Sequence, residues 1–96
     1  MNPQIMNIIK TVLKEINEEL LLPELENPDL HTKLFGGSGA LDSLALVSFI
    51  ADVEEKISDA FGKNIILADE KAMSQKVSPF RSVETLSLYI EKLLND

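Results

Sequence analysis

The chain contains no cysteine and no tryptophan, only one histidine, and aromatic residues amount to 5% of it. Without cysteine there is no disulfide framework, no thiolate metal site and no thiol nucleophile, so any thiol chemistry must come from an added group. A lone histidine, His31, leaves a catalytic triad or a histidine metal centre without a second imidazole, and no role is assigned to it. No stretch approaches the roughly eighteen uninterrupted apolar residues of a membrane-spanning helix, and no basic segment leads into an apolar run at the amino terminus. A cytoplasmic protein with no membrane partner is the expectation. Basic residues are scarce too: nine against sixteen acidic ones, for a net charge of −7. That balance repels nucleic acid phosphates, so nucleic acid is excluded as a partner, and it attracts basic protein surfaces.

What is present is an apolar fraction of 45% spread over 96 residues, enough for a single domain, residues 1–96, with one modest core. Asn2 is suited to cap a helix with Pro3 in its first turn. Ile5, Ile8, Ile9, Val12, Leu13, Ile16 and Leu20 then recur at three- and four-residue steps, a buried stripe that Pro23 is expected to close. From Pro23 to Leu41 the chain is broken by Pro28, Gly36, Gly37 and Gly39, which predicts a long ordered loop with one turn over Asp29 to Phe35. Asp42 is placed to cap a second helix that reaches Gly62, with Leu46, Ile50, Val53, Ile57 and Ala60 facing inward. Ile65, Ile66 and Leu67 read as a buried loop, since no partner strand is evident. Asp69 to Gln75 predicts a short third helix dependent on packing. Ser82 caps a last helix with Val83, Leu86, Ile90 and Leu93 on one face. The fold class expected is all-α: a four-helix bundle of three main helices and one short one, monomeric, with a long loop between helices one and two.

Two glycine-rich enzyme motifs are approached and not met. Gly36-Gly37-Ser38-Gly39-Ala40 lacks the strand and sheet that a nucleophile elbow requires, and no Gly-Lys-Ser/Thr follows it to make a phosphate loop. No metal site is expected. The informative stretch is Gly39-Ala40-Leu41-Asp42-Ser43-Leu44, where the loop turns into the long helix. Ser43 falls in the first helical turn, where unpaired amides and the positive end of the helix dipole favour an anion. Read alone, Asp42 and Ser43 are also ordinary capping residues.

Asp42-Ser43-Leu44, followed by Val47, Phe49 and Ile50 on an amphipathic helix, resembles the attachment site of acyl and peptidyl carrier proteins. Chain length, acidity and helix order agree with it. The resemblance implies a non-enzymatic acyl-carrier-like bundle in which Ser43 receives 4'-phosphopantetheine from coenzyme A. Acyl or related intermediates would then be carried as thioesters, in fatty acid, polyketide or another specialised biosynthesis. It also implies that Asp42 helps present Ser43 to a phosphopantetheinyl transferase. Leu44 lies roughly opposite the buried stripe of helix two and is expected to be exposed as a docking contact, with Ser48, Ala51, Asp52, Glu54 and Glu55 on or beside the same outer face. Acyl-loading and acyl-using enzymes with basic docking surfaces are the expected partners. Val47, Ile50, Ile66 and Ile90 are expected to line a core able to admit part of an attached chain. The pattern departs from fatty acid carriers in placing Ala45 and Ser48 where acids are usual early in helix two, which points towards a specialised pathway. The alternative reading is an unmodified helical interaction domain.

Overall fold

Asn2 opens the first helix: its side-chain oxygen accepts the amides of Gln4 and Ile5 at 2.8 and 3.3 Å, and Pro3 takes the position where a missing amide hydrogen costs nothing. The computed structural model describes residues 2–36, 39–67 and 79–95. Among these are three α-helices, α1 (Pro3–Leu20), α2 (Ser43–Phe61) and α3 (Val83–Asn95), and no strand. The all-α reading therefore stands. The short helix expected over Asp69 to Gln75 lies outside the described residues.

On α1 the stripe is buried at Ile5, Ile9, Val12 and Leu13, and half-buried at Ile8 and Ile16. It stops short of Leu20, which is 36% exposed. Nor does Pro23 end the helix. The chain leaves α1 through Leu21 in the left-handed region at φ 55°, and the side chain of Asn17 holds the exit, accepting from the Leu22 amide at 2.7 Å and donating to the Leu22 carbonyl at 3.0 Å. Pro23 instead opens a single 3-10 turn, Pro23–Leu25, whose Leu25 is buried. A left-handed leucine costs about 1 to 2 kcal/mol, which is why glycine or asparagine usually stands at such helix ends.

The long connection to α2 is ordered by backbone pairing with the start of α3. Leu34 and Phe35 donate to the carbonyls of Arg81 and Phe80 at 2.9 and 3.1 Å, while Val83 and Glu84 donate to those of Thr32 and Leu30 at 3.1 and 3.0 Å. The loop thus satisfies amides that the first turn of α3 leaves free, and this is its physical reason for being ordered. The expected helical turn shrinks to Asp29 through Thr32. Beyond it Lys33 forms an isolated antiparallel bridge to Ser82. Ser82 also caps α3, accepting from the Thr85 amide at 3.3 Å, while its own amide donates to the Thr85 hydroxyl at 3.0 Å.

Helix α1 packs against both other helices. It runs antiparallel to α2, since Gln4 and Asn7 lie beside Asp59 and Ala60, while Glu18 and Leu20 lie beside Ala45 and Ser48. Lys56 and Glu15 tie the two helices at 3.3 Å. The core is formed by these faces with Phe49 and Phe80, both buried. Besides Leu20, three positions expected inside are outside: Ala60, Ile66 and Val47 are exposed. In the last turn of α2 it is Phe61 that packs against the core rather than Ala60, and Ile65 and Leu67 turn inward in place of Ile66. Val47 lies one residue past the buried Leu46, which on a helix turns it about 100° out of the core.

Candidate functional site at the start of the second helix

The approach to α2 is fixed before the helix begins. Leu41 is buried and donates to the Leu34 carbonyl at 2.8 Å, which pins the last loop residue to the segment already paired with α3. Gly39 makes the turn possible, because a Cβ there would meet the backbone nitrogen of Phe35 at 2.6 Å. Asp42 is extended, and its carboxylate accepts the Ala45 amide at 2.8 Å while its carbonyl accepts the first intrahelical bond from Leu46. Asp42 is therefore the cap.

Ser43 follows as the first helical residue and is exposed. With the capping role taken by Asp42, its hydroxyl is left to solvent beside the electropositive end of α2. Leu44 is 83% exposed, as expected from its place opposite the buried stripe. Ser48, Ala51 and Glu55 are exposed as well, so Leu44, Ser48, Ala51 and Glu55 form the outermost line of the helix at steps of four, three and four.

The remaining expected contact residues go elsewhere. Asp52 is half-buried and turned towards α1, where with Ala45 and Ser48 it forms one wall of a groove. Glu54 is half-buried, and its carboxylate accepts the Leu67 amide at 2.6 Å, holding the chain that leaves α2. The opposite wall of the groove is the end of α1, with Glu18, Glu19 and Leu20. Sequence reasoning did not bring those α1 residues to the site. The signal was present in Glu18-Glu19-Leu20-Leu21, a pair of acids and a pair of leucines at a helix end, but nothing in the periodicity of α1 says that α2 starts beside it.

Chemically, the arrangement presents the exposed Ser43 hydroxyl to another molecule; the adjacent Asp42 carboxylate accepts an amide hydrogen, and His31 sits in the Asp29–Thr32 turn with its amide on Asp29. Among the described residues there is no group of acids or histidines able to hold a metal ion, and no helix is long and apolar enough to cross a membrane. Ser38 lies outside the described residues. The chain matches no protein-family model, no curated protein and no solved structure.

Proposed function

We propose that this protein is an acyl carrier that holds its cargo on a 4'-phosphopantetheine arm attached to Ser43. The observation that carries the reading is the division of labour at the start of α2: Asp42 caps the helix, and Ser43 stands exposed at its first position. These residues fit a phosphodiester, because the hydroxyl is accessible and the first-turn amides and helix dipole favour its charge. In attachment, the Ser43 oxygen would lose its proton and bond to the phosphorus of the pantetheine phosphate, with adenosine 3',5'-bisphosphate leaving coenzyme A. Base and metal for that step belong to the transferase, and Asp42 contributes by fixing the turn that displays the hydroxyl. Once attached, the arm supplies the thiol that this cysteine-free chain lacks, and acyl groups ride on it as thioesters.

Leu44, Ser48, Ala51 and Glu55 are the face that loading and using enzymes would meet first. Leu44, Val47 and Leu21, all largely exposed, also favour a second reading, an interaction domain that carries no modification. Co-expression with a phosphopantetheinyl transferase, followed by peptide mapping, separates the two. The carrier reading expects one phosphopantetheine on the peptide containing Ser43; an unmodified chain favours the interaction domain.

A further inference from the structure

On each of α1 and α2 an exposed apolar tip stands next in the chain to residues that line the groove. On α2 the tip is Leu44; on α1 it is Leu20, which faces Ala45 and Ser48 across the groove, followed by Leu21, 77% exposed. Leu21 is the more telling. It occupies the left-handed exit of α1, where leucine is disfavoured, and no burial of its own side chain offsets that cost. The side-chain oxygen of Asn17 accepts from the Leu22 amide and its side-chain nitrogen donates to the Leu22 carbonyl, so the tip is fixed in place by its own hydrogen bonds, whatever residue stands at 21. The fold thus gives no reason for an apolar side chain there.

The charged residues that line the groove are all acidic, while Lys14 lies with Glu18 on the other side of α1. Glu18 and Glu19 stand in the last turn of α1, which holds no basic residue, and Asp52 faces them from α2. Acids at a helix C-terminus oppose the dipole, so this placement adds negative potential where local stability disfavours it. Glu15 does not contribute freely, being paired with Lys56.

We propose that the tip of α1, from Glu18 to Leu21, is the second half of the docking surface for the enzyme that modifies Ser43, and that the surface receives a lysine- or arginine-bearing amphipathic helix of that enzyme. Its apolar side rests on Leu44 and Leu21, and its basic side faces Glu18, Glu19 and Asp52. A helix about 10 Å across bridges two ridges on packed helices 8 to 10 Å apart. The acids that α2 itself lacks near Ser43 are supplied from α1. This rests on Ser43 being the modified residue.

The test is the kcat/KM for modification by a purified broad-specificity phosphopantetheinyl transferase with coenzyme A, using wild type, Leu21→Asn, Leu21→Met, and the double variant Glu18→Gln with Glu19→Gln. Leu88→Ala, at an exposed leucine on α3, is the control. Asparagine suits the left-handed exit, so Leu21→Asn keeps the fold, as thermal melting checks. It is expected to lower kcat/KM about tenfold through loss of an apolar anchor, with methionine restoring it and Leu88→Ala without effect. The double variant should lower kcat/KM at low salt, with the difference shrinking at high salt. Leu21→Asn modified at the wild-type rate while Ser43 is still modified overturns this proposal alone; a wild-type chain that is never modified overturns the carrier reading and this proposal with it.

Discussion

The Asp42 carboxylate accepts the Ala45 amide at 2.8 Å, and this single bond separates the roles of two adjacent residues that are both good helix caps. It follows that Asp42→Ala should cost roughly 0.5 to 2 kcal/mol of stability through the lost cap. Ser43→Ala should cost under ~0.5 kcal/mol, as an exposed substitution by a good helix former. Urea unfolding of both variants checks the pair; equal losses would mean that the two side chains share the capping.

Gly39 and Gly62 should respond differently to alanine. At Gly62, in the left-handed region with open space around it, the cost should be about 1 kcal/mol of conformational strain. At Gly39 the new methyl meets the backbone of Phe35 and Leu34, so the loop itself must shift. We expect Gly39→Ala to destabilise by about 1 to 3 kcal/mol, in the range of an overpacked position. It should also move the amide resonances of Leu41 to Leu44, while those near Gly62→Ala change only locally. Unmoved resonances at Leu41 to Leu44 would contradict the pinning of this loop.

Glu54→Gln leaves an oxygen able to accept from the Leu67 amide but removes its charge, whereas Glu54→Ala removes the acceptor. Hydrogen bonds to charged groups contribute about 1.5 to 3 kcal/mol, so Leu67 amide exchange should speed up modestly in Glu54→Gln and by tenfold or more in Glu54→Ala. Equal exchange in all three chains would mean that the carboxylate does not hold the segment after α2.

Most of the helical framework was legible because amphipathic stripes and caps are local. Asn2, Asp42, Ser82 and Gly62 each announce a helix boundary by their own chemistry, and Leu46, Ile50, Val53 and Ile57 announce the face of α2. What local patterns do not carry is the neighbour. Leu20 continues the α1 spacing but stands exposed beside the helix exit, Ile66 yields to Leu67 for the core, and Glu54 finds a partner thirteen residues away. The ordering of the α1–α2 loop likewise depends on amides of α3 some fifty residues further along the chain. At the site, Ser43, Asp42 and the exposure of Leu44 were readable from position alone, whereas the α1 tip became part of the site only once α1 and α2 were seen to pack antiparallel.

The central claim is tested most directly by intact mass measurement after incubation with coenzyme A and a broad-specificity phosphopantetheinyl transferase. The account predicts that wild type gains the mass of one phosphopantetheine, and that Ser43→Ala, still folded by circular dichroism, gains none. A wild-type chain that gains nothing, or a Ser43→Ala chain that is still modified, would contradict it.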